Sequence, residues 1–314
     1  MAIARINHLT KRFHTLTAVD DLSFTVEEGD VYGFLGQNGA GKSTTLRMLL
    51  SLIRPTSGEI ELFGMNLQTH RKEILREVGA IIEQPELYPF FSALENLQLF
   101  ARLSGRPLKR PALLEQLELV GLEGRADDKV HTYSMGMKQR LGLATAMVHD
   151  PRLLILDEPT NGLDPQGIAD IRNLILHLSR DRKKTLIVSS HLLSEVQVLA
   201  TRMLIIDKGK KLVEGASAEL LDPVDTLVLL ETRDNARTLE LIRVSPWAGC
   251  IETERHGRGN AAPDGVPAIL TLRMDRERIP AFNEALVGWG VPVTRLEPRH
   301  SLEDYFLNLT THPH

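Results

Sequence analysis

The stretch Val31-Tyr32-Gly33-Phe34-Leu35-Gly36-Gln37-Asn38-Gly39-Ala40-Gly41-Lys42-Ser43-Thr44-Thr45 decides the fold. Its apolar run at 31–35 predicts a strand covered on both faces, as in a mostly parallel sheet. Residues 36–43 fit G-x-x-x-x-G-K-[ST], and 44–53 carry a helical pattern, so the motif sits between strand and helix as the pattern requires. Glycines let the backbone turn so that successive N–H groups and a helix N-terminus face an anion. Lys42 adds a point charge toward β- and γ-phosphates, and the Ser43 hydroxyl can ligate Mg²⁺.

Working outward, Leu153-Leu154-Ile155-Leu156 is a second buried strand pattern, and it runs into Asp157-Glu158. Open α/β sheets present ligand-binding groups at the carboxyl ends of their strands. Asp157 would complete the Mg²⁺ shell begun by Ser43. Glu158 points the other way along the strand period, where a carboxylate can orient an attacking water or take its proton. Two acids before Pro159 are also a common strand exit, and they gain meaning from the phosphate loop.

With both motifs in place, the chain resembles the ATP-binding subunits of ABC transporters. Tyr133-Ser134-Met135-Gly136-Met137-Lys138-Gln139-Arg140 is similar to that family's signature motif, with Ser134 a good helix N-cap and Gly136 permitting close backbone approach. The resemblance implies a head-to-tail dimer enclosing two ATP molecules. Each would be held by Gly36, Gln37, Asn38, Gly39, Ala40, Gly41, Lys42, Ser43, Thr44 and Thr45 of one chain and by Ser134, Met135, Gly136 and Met137 of the other. Asn161-Gly162-Leu163-Asp164 resembles the D-loop that crosses this interface, and His191, after Ser189-Ser190, resembles the switch histidine near the γ-phosphate. Lys42, Glu158 and His191 are then the expected catalytic residues, with ATP and Mg²⁺ as cofactors.

Phe13 sits where the family stacks an aromatic ring on adenine, although an apolar residue between Lys11-Arg12 and His14 equally reads as a hydrophobic plug. One departure stands out. The family's glutamine that touches Mg²⁺ and links to the membrane subunit falls on Glu83, with Gln84 one residue late, so the metal set is Ser43, Asp157 and either Glu83 or Gln84. Tyr88, Phe90 and Phe91 open a helical subdomain over about 85–150. They read either as a surface for a coupling helix or as core beneath a loop.

Composition bounds the rest. The 314 residues predict roughly two domains, and 42% hydrophobic with 25% charged residues is an ordinary globular balance. A formal net charge of -4 lacks the basic excess of a nucleic-acid binder, so no nucleic-acid partner is expected. Cys250, the one cysteine, excludes intramolecular disulfides and cysteine-built zinc clusters. No stretch approaches the roughly 18 apolar residues of a membrane span, and residues 1–13 lack a secretory apolar core. The expectation is a cytoplasmic protein that meets the inner face of the cell membrane only through integral permease subunits.

The fold class expected is α/β, a P-loop NTPase over 1–216 with a mostly parallel core sheet, an antiparallel β subdomain from the alternating pieces 3–9, 22–26 and 59–63, and the helical subdomain. A small α+β domain over 217–314 follows, read as βαββαβ and therefore ferredoxin-like. Its strands are placed at 226–230, 251–254, 268–272 and 291–296, its helices at 236–242 and 279–289, with a closing helix at 302–309. Ile279, Phe282, Leu286 and Trp289 recur at helical spacing and read as a buried face. This domain carries no catalytic constellation, and either braces the dimer or binds a regulator.

The Ser-Met-Gly-Met-Lys-Gln variant, Glu83 and the segment 301–306 resemble bacterial exporter-type ATPases of drug, antibiotic and lipid-linked efflux systems. The function expected is ATP hydrolysis that energises export by separate membrane-spanning subunits. The alternative is a soluble ABC-type ATPase or nucleotide sensor not coupled to transport. The interval from Ser43 to Ser134 leaves no room for the long coiled coil of a DNA-repair ATPase, and a single cassette argues against a translation-associated one.

Overall fold

A computed structural model of the chain describes residues 1–220, 226–252 and 269–300. The chain divides into two units, Met1–Ser217 and Ala218–His314. In the first, β1 (Ala2–Phe13) and β2 (Leu16–Glu27) form a hairpin, followed by β3 (Val31–Leu35), α1 (Lys42–Leu49), β4 (Ser57–Leu62), β5 (Met65–Asn66), α2 (Arg71–Leu75) and β6 (Val78–Ile81). Helices α3 (Ala93–Leu103), α4 (Arg110–Leu119) and α5 (Met135–Met147) precede β7 (Leu153–Asp157), α6 (Pro165–Arg180), β8 (Thr185–Ser190), α7 (Leu193–Leu199), β9 (Arg202–Asp207) and β10 (Lys210–Ala216).

Two sheets result. The antiparallel one has the order β2-β1-β4-β5, and the core sheet has the order β10-β9-β3-β8-β7-β6. In the core sheet β6, β7, β8, β3 and β9 run parallel, and β10 closes the edge antiparallel to β9. The continuous apolar runs are explained by burial on both sides. Leu153 and Ile155 of β7 join the core beneath the antiparallel sheet with Ile6, Phe24, Leu46 and Ile60. Leu154 and Leu156 point oppositely, into the core with Leu97, Leu117, Leu141 and Ile175 of the helices. Tyr32 is fully buried, stacks on Phe24 at 5.7 Å, and donates from its hydroxyl to Glu214 Oε1 at 2.8 Å. Burial, with the Glu214 carboxylate beside it, pushes the phenol well above its ordinary pKa, so it stays a donor.

β1 and β2 run longer than the alternating pieces at 3–9 and 22–26. Cross-strand pairing carries on through polar residues as far as Phe13↔Leu16, with register shifts that alternation alone does not disclose. The helical segment starts at a capping box: Ser92 Oγ accepts from Glu95 N at 3.1 Å and Glu95 Oε2 accepts from Ser92 N at 2.6 Å. Gly33, in mid-strand, lets α7 pack directly on β3; a Cβ there would fall 2.2 Å from Val196 Cγ1.

In the second unit, after α8 (Ser217–Leu220), come β11 (Thr226–Thr232), α9 (Asn235–Arg243), β12 (Leu270–Met274), α10 (Ile279–Gly288) and β13 (Val293–His300). The sheet order is β12-β11-β13, all antiparallel, and Ile251 bridges Leu272 on the outer side of β12. Counting that bridge as the second strand gives the ferredoxin-like order 4-1-3-2. Two of the strands start later than expected. The strand placed at 268–272 runs two residues later, and the last strand starts at Val293 because Gly290, at φ 70°, and Pro292 turn the chain after α10. Phe282 and Leu286 are fully buried with Val228 and Ile242, and Ile279 and Trp289 pack against them. Glu254 and the closing helix at 302–309 lie outside the described residues.

Candidate functional site

Three parallel strands end side by side. Register pairs Leu35 with Ser190 and Asp157 with Ser189, so Gly36, Glu158 and His191 each leave the sheet at its carboxyl edge. The loop from Gly36 bends back through Gly41, whose φ of 105° is left-handed and whose Cβ would lie 2.5 Å from the Ala18 carbonyl oxygen; only glycine fits there. Helix α1 begins immediately after, with no side-chain cap and no acid in its first turn. Its leading N–H groups therefore remain available to an anion, with the positive end of the helix dipole behind them.

Lys42 is 4% exposed. Its Nζ donates to the carbonyls of Gly36 at 2.7 Å and Gln37 at 3.3 Å, and lies 3.1 Å from Glu158 Oε1. The other carboxylate oxygen of Glu158 is 2.8 Å from His191 Nδ1. One carboxylate thus sits between a buried ammonium and an imidazole, an arrangement able to orient a water or receive its proton. Glu158 adopts φ 49°, an uncommon backbone for a residue with a side chain, and its N–H donates to Ser189 Oγ at 2.9 Å.

Asp157 is buried with one oxygen, Oδ1, accepting from Ser189 Oγ at 2.5 Å and the other, Oδ2, without a hydrogen-bond partner. An orphaned buried carboxylate oxygen is costly unless a cation meets it. Among the described residues no group of three His, Cys, Asp or Glu could hold a metal ion by itself. One carboxylate, one hydroxyl and phosphate oxygens suit Mg²⁺, which keeps much of its shell outside the protein. The donors Asp157 and Ser43 therefore fit this ion.

Glu83 is elsewhere occupied. Its carboxylate pairs with the Arg47 guanidinium of α1, its backbone is left-handed at φ 65°, and both it and Gln84 are exposed. Phe13 is 42% exposed with Lys11 Nζ 4.8 Å from its ring centroid, so it is not a plug. Tyr88 and Phe91 stack at 5.3 Å, and Phe90 is 78% exposed beside His131, so this cluster lies on the surface.

Ser134 caps α5, its Oγ accepting from Met137 N at 3.3 Å. A Cβ on Gly136 would meet nothing within 4 Å among the described residues, so the space beside this backbone is open. Among the described residues, no hydrogen bond or ion pair joins 134–137 to the loop 36–45. Asp164 caps α6, Oδ1 accepting from Gly167 N at 3.0 Å. The sequence reading missed Ser189, whose hydroxyl bridges Asp157 and the Glu158 backbone. Its role follows from the pairing of β7 with β8, which sets it opposite Asp157 and which sequence spacing does not disclose.

Comparison with known proteins follows the same lines. The family described as ABC transporter matches residues 19–161. The bacitracin transport ATP-binding protein BcrA of Bacillus licheniformis is 42% identical over 308 residues, covering 98% of this chain and 97% of its own. A Nod factor export ATP-binding protein I of Ralstonia nicotianae is 34% identical over 313 residues, covering 98% and 94%. Among solved structures, a dimeric post-hydrolysis state of the ATP-binding cassette MJ0796, bound to ADP and phosphate, superposes with a TM-score of 0.62 at 25% identity over 68% of this chain and 98% of its own.

Proposed function

The chain belongs to the ABC transporter family as an ATP-binding, ATP-hydrolysing subunit, and from that premise we propose that two copies close head-to-tail around two Mg·ATP to drive export through separate membrane-spanning permease subunits. The observation that carries the reading is the chain of contacts Lys42–Glu158–His191 at the mouth of the phosphate loop. Residues 36–45 of one copy wrap the phosphates, Phe13 stacks on the base, and residues 134–137 of the other copy, with the open backbone at Gly136, approach from the far side. Asp164 holds its loop at that interface through the α6 cap.

Phosphate oxygens compete with Glu158 for the Lys42 ammonium, and a carboxylate so released is free to position water and accept its proton. His191 fixes the orientation of that carboxylate and places a donor near the transferring group. Mg²⁺, held by Ser43 and Asp157, would neutralise charge developing on the phosphates. Glu83 stays with Arg47 in this scheme, so Gln84 and Glu83 bear on the metal only through the loop that carries them. The exposed Tyr88, Phe90 and Phe91 cluster forms the docking surface for a permease helix.

No helix among the described residues is long and apolar enough to cross a membrane. A cytoplasmic subunit held at the membrane by its permease would therefore co-purify with it. Pull-down of tagged protein from detergent-solubilised native membranes should yield a multi-span integral protein in near-equal amount. Recovery of none, with ATP turnover intact, would move the function to an ATPase not coupled to transport.

Residues 1–216 are read as the ATP-binding domain, with its helical subdomain at about 85–150, and 217–314 as an accessory domain that braces the dimer. Deleting 217–314 should weaken ATP-dependent dimerisation measured by light scattering while ATP binding persists. Unchanged association would assign the domain to binding a regulator instead.

A further inference from the structure

The dyad of Glu158 and His191 is built from two loops that leave different strands, and each loop is anchored by a hydroxyl. Thr160, two residues after Glu158, is 6% exposed and donates from Oγ1 to Glu195 Oε2 at 2.9 Å. Ser190, just before His191, is 3% exposed and donates from Oγ to the same Glu195 oxygen at 2.7 Å, while accepting from Leu192 N at 3.0 Å. One carboxylate oxygen on α7 thus ties both loops together.

Glu195 lies in the first turn of α7, where an acid commonly serves the helix dipole, yet α7 has no side-chain cap hydrogen bond. The oxygen is spent on hydroxyls from two other elements instead. α7 reaches them because Gly33 removes the Cβ that would strike Val196. The left-handed backbone at Glu158 needs such support: Ser189 Oγ holds its N–H, the Asn161 N–H closes a turn onto its carbonyl at 3.1 Å, and Thr160 is fixed by Glu195.

We propose that Glu195 is a positioning residue for ATP hydrolysis: by clamping Thr160 and Ser190 it sets the contact between Glu158 and His191. The proposal rests on the hydrolytic reading of Glu158 given above. The Glu195 carboxylate contacts Thr160 and Ser190 rather than Lys42, Glu158 or His191, so it acts on the rate through the geometry of the dyad, where small displacements are expensive.

The test is steady-state ATP hydrolysis by the full-length protein with Mg·ATP, read as kcat and KM separately and accompanied by a melting curve. Glu195→Ala should lower kcat on the order of 10- to 100-fold with KM and melting temperature little changed. Glu195→Gln keeps an acceptor oxygen and should recover most of the rate. In a His191→Ala background the further loss from Glu195→Ala should shrink, because groups acting as one unit are not additive.

Wild-type kcat in Glu195→Ala would overturn the proposal, as would a loss confined to KM or to stability that Glu195→Gln does not mend. If Glu195→Ala fails to fold, Thr160→Val and Ser190→Ala decide the matter. Each removes one of the two hydroxyl contacts to Glu195, Ser190→Ala also losing the bond from Leu192 N, and each should reduce kcat by a smaller factor; wild-type turnover in both would overturn it equally. A Glu158→Gln variant with normal turnover would instead bring down the hydrolytic reading itself. An inactive Glu158→Gln beside a fully active Glu195→Ala would bring down only the role of Glu195.

Discussion

In Glu158→Gln, Mg·ATP should drive the protein into a long-lived dimer while phosphate release falls by about 10²–10⁴-fold, the range a positioned general base contributes. The expectation comes from how the two carboxylate oxygens are used. Oε1 faces Lys42 at 3.1 Å and Oε2 faces His191 Nδ1 at 2.8 Å. A carboxamide can keep both contacts, with its oxygen toward the ammonium and its NH₂ toward an imidazole that has changed tautomer, so the local fold survives. What is lost is a negative charge that can orient water and receive a proton. What is gained is a Lys42 no longer held by a carboxylate and freer to meet phosphate. ATP affinity should therefore be retained or raised as turnover falls. Size exclusion with ATP and with ADP, beside a phosphate-release assay, separates the two effects. Wild-type release would remove Glu158 from its role.

Much of this site is legible in the sequence because its parts are local. The phosphate loop is one continuous stretch, and the strand with Asp157 and Glu158 announces itself by an apolar run ending in acids. The core sheet follows from the same logic: 31–35 and 153–156 carry no charged side chain inside the sheet, and each observed strand is buried on both faces. Other features depend on pairs of residues far apart in the chain. Neither Arg47 against Glu83 nor Ser189 between Asp157 and Glu158 can be read from spacing, since both depend on how elements meet. The hairpin of β1 and β2 extends past its alternating pieces for the same reason, pairing through polar residues that periodicity alone would leave out. In the second unit, turn residues Gly290 and Pro292 moved the last strand, a local signal whose effect depended on the turn it made.

Lys42→Met should abolish detectable ATP binding and also destabilise the fold, and the second effect distinguishes this lysine from one that merely meets ligand. Its ammonium is buried, satisfies the carbonyls of Gly36 and Gln37, and neutralises Glu158, whose side chain is only 18% exposed. Methionine fills the volume but leaves two carbonyls and a carboxylate facing an apolar chain. Removing one partner of a fully buried pair costs about 3–5 kcal/mol. Partial exposure of Glu158 lowers this to about 2 kcal/mol or slightly more, since water can reach the stranded charge. Adding Glu158→Gln to Lys42→Met removes that stranded charge, so the double variant should regain part of the lost stability. It should not regain ATP binding, because the missing ammonium is the charge directed at the phosphates. Urea unfolding of the three variants, beside a nucleotide-binding isotherm for each, measures both quantities. A Lys42→Met protein as stable as wild type would show that the contact with Glu158 contributes nothing to the fold. Tight ATP binding in that variant would show that the backbone N–H groups of the loop hold the nucleotide unaided.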